Sequence, residues 1–206
     1  MSIWAIVPVK PFSQAKSRLK DVLTPVQRAG LGREFLIHTL QVLAQVHEIR
    51  RVLVISRDTA ALTLAHKYQA RTVTESGTPD LNTALRRATE AVVGLGAHAL
   101  LILPTDLPLL SAEAVQQMVN EPDMYPAVVI APDRRRTGTN ALFVRPPGLI
   151  EYAFGHDSFQ LHQAWAARAG ARVRVFQSAA IELDVDVPED LALCQAQRQP
   201  AFLFQN

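Results

Sequence analysis

A single cysteine, Cys194, stands among the 206 residues, which excludes an internal disulfide and any cysteine-based zinc site. Its apolar, helical surroundings mark it as a core residue rather than a nucleophile. No window reaches the roughly 18 uncharged apolar residues that a membrane span needs. The opening Met1-Ser2-Ile3-Trp4-Ala5-Ile6-Val7 has neither the basic flank nor the cleavage site of a signal peptide, and it reads as a first strand. These absences predict a cytoplasmic protein that does not associate with membranes. A net charge of only +2 gives no reason to expect nucleic-acid binding. Repeats, low-complexity tracts and linkers are missing too, so residues 1–206 are expected to form one domain. The sequence fixes no oligomeric state and leaves a homodimer open.

Against these absences stand an apolar fraction of 49% and 13 prolines, as in a globular chain with many sharp turns. Strand-length apolar runs occur at Ile3–Val7, Val52–Ile55, Arg71–Thr74, Ala99–Leu103, Ala127–Ala131, Ala141–Val144 and Arg172–Phe176. Unbroken runs such as Leu100-Leu101-Ile102-Leu103 suit strands covered by helices on both faces. Capping chemistry announces the helices between them. Thr24-Pro25 with Gln27 forms a capping box ahead of the apolar positions Leu31, Phe35, Leu36, Leu40 and Leu43. Asp58, Asp80 and Ser111 each stand before a further helix. Ser158 opens a stretch holding Phe159, Leu161, Trp165 and Ala169 that stops at Gly170, and Pro188 opens the last helix. The alternation predicts an α/β fold: a Rossmann-like, three-layer α/β/α sandwich around a mostly parallel, mixed sheet. In such sheets ligands sit beyond the carboxyl ends of the strands.

After the first strand come Lys10, Lys16, Arg18 and Lys20 within eleven residues, with Ser17 among them. The loop lacks the glycines of a P-loop or dinucleotide fingerprint, so phosphate binding here would rest on cationic side chains. A solvated surface face is the plain alternative, and Arg18 is open to a structural role at a helix end.

Asp106 directly follows the buried Leu100–Leu103 run between Pro104 and Pro108, where a carboxylate can meet a metal ion or merely close a turn. In an extended Leu183–Val187, Asp184 and Asp186 share one face, and either can approach Asp106. Carboxylates brought together in this way are best tolerated around a divalent cation. Asp190 reads as helix-surface or first-turn charge. The loop Glu75–Asn82, with Gly77 and Asn82, suits recognition of a base or ribose. Thr139 precedes a strand, while Gly155 and Ser158 precede a helix whose free amides and hydroxyl make an anion site; a simple N-cap is the other reading of Ser158.

Taken together, these segments resemble the guanylyltransferases of coenzyme F-420 biosynthesis, whose acceptor is phosphoenolpyruvate in most bacteria and 2-phospho-L-lactate in archaea. The resemblance is carried by Val7-Pro8-Val9-Lys10, Ala15-Lys16-Ser17-Arg18-Leu19, Asp80-Leu81-Asn82, Asp106-Leu107-Pro108-Leu109, Ala131-Pro132-Asp133-Arg134, Gly138-Thr139-Asn140, Phe154-Gly155 with Ser158-Phe159, and Asp184-Val185-Asp186. It implies a GT-A-like nucleotidyltransferase that takes GTP and a small phosphorylated carboxylic acid. GTP is then held by Lys10, Lys16, Arg18, Gly77 and Asn82, with Lys16, Arg18 and Asp106 catalytic. Mg²⁺ is implied at Asp106 with Asp186 or Asp184, and the acceptor at Thr139, Gly155 and Ser158. Two features depart from the family pattern: the longer Arg134-Arg135-Arg136 run, and His156 where a small residue or proline is usual. Both concern the acceptor, which stays open among phosphoenolpyruvate, 2-phospho-L-lactate and 3-phosphoglycerate. Related folds that serve sugar phosphates or molybdopterin usually carry a glycine-rich first loop, absent here. A non-catalytic nucleotide-binding module would have no use for the metal carboxylates.

Overall fold

Strand β1 (Ile3–Val9) lies at the middle of a seven-stranded sheet, and its alternate side chains feed two separate cores. The computed structural model describes residues 2–122 and 124–197. In chain order the elements are β1, α1 (Pro25–Ala44), β2 (Ile49–Ser56), α2 (Thr59–Lys67), β3 (Arg71–Thr74), α3 (Leu81–Gly94), β4 (Ala99–Ile102) and α4 (Ala112–Asn120). They continue with β5 (Ala127–Pro132), β6 (Thr139–Arg145), α5 (Ser158–Arg168), β7 (Arg172–Val175), α6 (Ala179–Glu182) and α7 (Pro188–Gln197). All seven strands coincide with the apolar runs of the sequence.

The sheet order is β3-β2-β1-β4-β6-β5-β7, and only β6 runs against its neighbours. The reversal follows from chain length: the six residues 133–138 between β5 and β6 suffice for a hairpin but not for a helical crossover. Its consequence is functional. The start of β6, Thr139, lies on the same edge as the carboxyl ends of the parallel strands.

Period-two alternation sorts the side chains by face. Ile3, Ala5, Val7, Leu101, Val129 and Phe143 pack under α1, α2 and α4 on one side. Trp4, Ile6, Leu100, Ile102, Val128 and Leu142 pack under α3 and α5 on the other. Helix starts are fixed as the sequence suggests: Thr24 and Gln27 close a capping box, Asp80 accepts from the Thr83 amide at 2.7 Å and Ser111 from Ala114 at 3.2 Å. Asp58 caps α2 through Oδ1 and pins the loop after β1 by accepting from the Phe12 amide at 2.8 Å.

Helix α5 departs from expectation. Asp157, with φ 56°, holds the cap position without a side-chain bond, and Ser158 is the first helical residue. The buried face of α5 is Phe159, His162 and Ala166, whereas Leu161 is 41% exposed. The single turn α6, capped by Ser178, has no apolar periodicity long enough to announce it.

A third, smaller apolar cluster joins Leu19 and Leu23 to Leu31 and Phe35 of α1, and to Leu183, Val185, Leu191 and Cys194. Cys194 is buried there, in agreement with its expected core role. This cluster welds the basic loop after β1 to the acidic segment before α7. Each buried leucine contributes about 1.5–3 kcal/mol to that junction.

Candidate active site

The strand ends open into a cavity of about 800 Å³. Lys10, Lys16, Arg18, Asp106, Thr139, Gly155, Ser158, Asp184 and Asp186 all line it. Asp106 is presented by the turn after β4, anchored by the fully buried Leu107. The Asp106 carbonyl accepts from the Val185 amide at 3.0 Å, which ties the two acidic segments together by backbone alone. Val185 is buried, so Asp184 and Asp186 on either side of it face outward, as an extended segment requires.

Lys16 is the electrostatic centre. Its Nζ stands 3.1 Å from Asp106 Oδ2 and 3.5 Å from Asp186 Oδ1, with only 9% of the side chain exposed. The backbone at Lys16 is left-handed, with φ 51° and ψ 42°, a conformation uncommon for a non-glycine residue and one that turns the side chain inward. The ammonium also lies 5.5 Å from the centre of the Phe35 ring. Arg18, more exposed, reaches Asp186 Oδ2 at 3.2 Å. Burial by itself would raise the Asp106 pKa, but the adjacent Lys16 outweighs it and holds the carboxyl below its usual range. Asp184 behaves oppositely. Burial, followed by the charges of Asp106 and Asp186, pushes it up to about 6.

That raised pKa has a sign that can be tested. Between about pH 4 and 6 the folded protein holds a proton that the unfolded chain has released, so Asp184 costs stability as pH rises through this window. In chelator, Asp184→Asn is therefore expected to raise the melting temperature above pH 6 and to leave it unchanged near pH 4. With solvent screening of a partly exposed group, the gain is about 1 kcal/mol, or about 2–4 °C for a chain of this size. A melting difference independent of pH would contradict this account of Asp184.

The second half of the cavity is lined by hydroxyls. Thr139 Oγ1 lies 3.0 Å from His162 Nδ1, and Ser158 Oγ is buried without a hydrogen-bond partner. Gly155 adopts φ +136°, which side chains rarely tolerate. The expected free amides at the start of α5 are not both available: Ser158 N–H donates to Gly155 O and Phe159 N–H to Thr137 O. The polar groups left to this part of the cavity are the hydroxyls of Thr139 and Ser158.

Gly77 and Asn82 are not among the residues lining the cavity. Asn82 spends both ends of its amide on Phe154, donating to its carbonyl at 3.2 Å and accepting from its N–H at 2.8 Å. The Gly77 carbonyl accepts from Arg57 Nη2 at 2.7 Å, and Arg57 also pairs with Glu75 at 3.0 Å. Each thus bonds to a residue that does line the cavity, Asn82 to Phe154 and Gly77 to Arg57.

Asp190 is buried rather than on the surface. From the first turn of α7 its Oδ2 accepts from the Asp186 and Val187 amides just before the helix, and Oδ1 faces Arg134 at 3.5 Å. The arginine run divides its work. Arg134 pairs with Asp190, Arg136 stacks 5.2 Å from the centre of the Phe159 ring, and Arg135 borders the cavity. Asp133 organises the hairpin by accepting from the Thr137 and Gly138 amides. A side chain at Gly138 would meet Asp133 Oδ2 at 3.3 Å.

The sequence reading left out His162 and gave Asp133, though part of a matching segment, no role of its own. A signal for His162 was present, because it lies four residues after Ser158 and hence on the same helix face.

Residues 3–195 match the model of the family described as "Guanylyl transferase CofC like". The chain belongs to that family. Relatives of this CofC-like guanylyl transferase include a protein of Rubrobacter xylanophilus named phosphoenolpyruvate guanylyltransferase, 43% identical and aligned over 95% of each chain. Another, from Methanothermobacter thermautotrophicus and named 2-phospho-L-lactate guanylyltransferase, is 36% identical over 93% of this chain and 83% of its own. In fold, the CofC-like chain is similar to a putative nucleotide-diphospho-sugar transferase of Desulfovibrio desulfuricans, with a TM-score of 0.76 at 23% identity, covering 98% of this chain and 90% of the other. It is also similar to the 4-diphosphocytidyl-2C-methyl-D-erythritol synthase of Anaerococcus prevotii, with a TM-score of 0.67 at 15% identity over 95% of each. The α/β fold is shared with these structures, and the family with its named relatives makes the chain a nucleotidyltransferase. Among the described residues no helix is long and apolar enough to cross a membrane.

Proposed function

We propose that the protein transfers the GMP group of GTP to the phosphate of phosphoenolpyruvate, releasing pyrophosphate, with Mg²⁺ as cofactor and a place in coenzyme F-420 biosynthesis. The observation that carries this reading is that one cavity is lined both by a cation-bridged carboxylate pair, Asp106 and Asp186, and by the hydroxyl-bearing Thr139 and Ser158. We assign the acceptor, a three-carbon phospho-acid, to the hydroxyl side. The names carried by the bacterial relatives, among them one from Sphaerobacter thermophilus at 36% identity, support phosphoenolpyruvate over 2-phospho-L-lactate.

Among the described residues no three His, Cys, Asp or Glu side chains form a metal cluster. The donors nevertheless fit Mg²⁺, which is commonly held by one or two carboxylates together with substrate phosphates and water. A single cation, Lys16 Nζ, already contacts both Asp106 and Asp186, so one point is within reach of both carboxylates. Asp106 and Asp186, with Asp184 beside them, would hold the ion. Bound there, it supplies charge neutralisation between the carboxylates and the triphosphate.

An oxygen of the acceptor phosphate attacks the α-phosphorus of GTP. The new P–O bond forms as the bond to the bridging oxygen breaks, and pyrophosphate takes that electron pair. A phosphate monoester has a second pKa near about 6, so its oxygen is already anionic and needs no protein base. Lys10, Lys16 and Arg18 neutralise the leaving pyrophosphate. The base belongs at the β2–β3 side, where Arg57, Glu75, Pro79 and Leu81 line the cavity.

Phosphoenolpyruvate is expected to be the best of a panel of phospho-acids. Thr139→Val and Ser158→Ala should each raise its KM by about 10- to 100-fold, the equivalent of one hydrogen bond to a charged group. GTP affinity measured without acceptor should stay unchanged. Weakened GTP binding in these variants, or a sugar phosphate outrunning every phospho-acid, would contradict the assignment.

A further inference from the structure

His162 is fully buried beneath the hydroxyl pocket, and its two ring nitrogens have different partners. The Ala153 amide donates to Nε2 at 3.0 Å. A backbone N–H can only donate, so Nε2 carries a lone pair. The ring is neutral, its pKa lowered to about 4 by burial, and Phe154 and Trp165 pack edge-on against it at 5.0 and 6.5 Å. A neutral imidazole with an accepting Nε2 carries its proton on Nδ1. Nδ1–H therefore donates to Thr139 Oγ1 at 3.0 Å, and the threonine hydroxyl, already accepting, keeps its own proton for another partner. Thr139 lines the cavity, so this proton is available to an acceptor oxygen there. Because the Ser158 and Phe159 amides are spent inside the protein, the direction of this hydroxyl proton matters more than it would at an open helix end.

We propose that His162 is the positioning residue that makes Thr139 a hydrogen-bond donor to the anionic group of the acceptor. The same ring, through Ala153, holds the irregular segment leading to Gly155, while Asn82 holds Phe154. One buried imidazole thus aligns the threonine from β6 with the glycine turn before α5. Neither Nδ1 nor Nε2 touches substrate, so the role is one of orientation rather than chemistry. The inference rests on the reading of Thr139 as an acceptor-binding group.

Two substitutions separate orientation from packing. His162→Phe fills the ring volume and removes the donor, whereas His162→Asn retains an N–H at the δ position. His162→Phe is expected to raise the KM for phosphoenolpyruvate about tenfold or more, with KM for GTP unchanged, and His162→Asn is expected to recover most of that loss. In a Thr139→Val background, His162→Phe should add no further increase. An equal KM increase in both backgrounds, a matching rise in the KM for GTP, or no recovery by asparagine would overturn the role. A measurement on the unmodified protein does not depend on either variant folding: ¹⁵N NMR of the ring at pH 7 should report a neutral, Nδ1-protonated tautomer. An Nε2-protonated or charged ring would overturn the proposal. Absence of turnover with every phospho-acid would remove the acceptor reading, and this inference with it; normal native kinetics with an additive double mutant would remove the inference alone.

Discussion

Asp106→Asn is expected to lower the rate of pyrophosphate release at saturating substrates by about 10²–10³-fold or more, with little change in far-UV circular dichroism. The substitution keeps the shape of the side chain. It also spares the backbone bond from Val185 to the Asp106 carbonyl, which joins the two acidic segments. What it removes is one of the two carboxylates that share a cation. The loss should appear in kcat rather than in acceptor KM, because the charge is needed where pyrophosphate departs. Turnover within tenfold of native, or full turnover in excess chelator, would contradict the metal-site reading.

The second large effect is expected from Lys16→Met, and it has a structural part and a catalytic part. Methionine can keep the packing against Phe35 but leaves Asp106 and Asp186 without their shared cation beside the already strained Asp184. Breaking a sealed ion pair costs about 3–5 kcal/mol; with carboxylates 28% and 43% exposed, screening reduces this to about 1–3 kcal/mol. In chelator the melting temperature should fall by about 2–12 °C. Added Mg²⁺ should restore more stability to the variant than it gives the native protein, since it occupies ground that Lys16 otherwise holds. Turnover should stay low even then, because the lysine is also needed at the triphosphate. A variant as stable as native in chelator would contradict the electrostatic account of the cluster.

The layered fold was legible because its signals are local. Unbroken apolar runs such as Leu100–Leu103 and Val128–Ala131 suit doubly covered strands, and β4 and β5 form there; Thr24, Asp58, Asp80 and Ser111 each cap a helix as their spacing suggests. The acidic pair was legible for the same reason: alternation around the buried Val185 puts Asp184 and Asp186 on one face. What escaped depends on contacts far apart in the chain. Asn82 meets Phe154 across 72 residues, so its amide looked free for a base when it is engaged in holding a loop. Asp190 stands in the first turn of α7, one of its two expected places, but its burial beside Arg134 and its bonds to the turn before α7 were not local signals. Ser158 looked like an N-cap, yet the left-handed Asp157 takes that position and drives the serine hydroxyl inward. His162 carried only a positional signal, four residues after Ser158. Only the fold reveals that its two nitrogens face a backbone amide and a threonine hydroxyl.

The central claim is that a nucleotidyl group, and not a terminal phosphoryl group, moves from GTP to a phospho-acid. Incubating the protein with GTP labelled at the α-phosphorus, Mg²⁺ and phosphoenolpyruvate, and identifying the products by ³¹P NMR and mass, tests it most directly. The account predicts the label in a diphosphate-linked adduct of GMP and the acid, with one unlabelled pyrophosphate released per adduct. GDP with inorganic phosphate, or label that stays in GTP whichever phospho-acid is supplied, would contradict it.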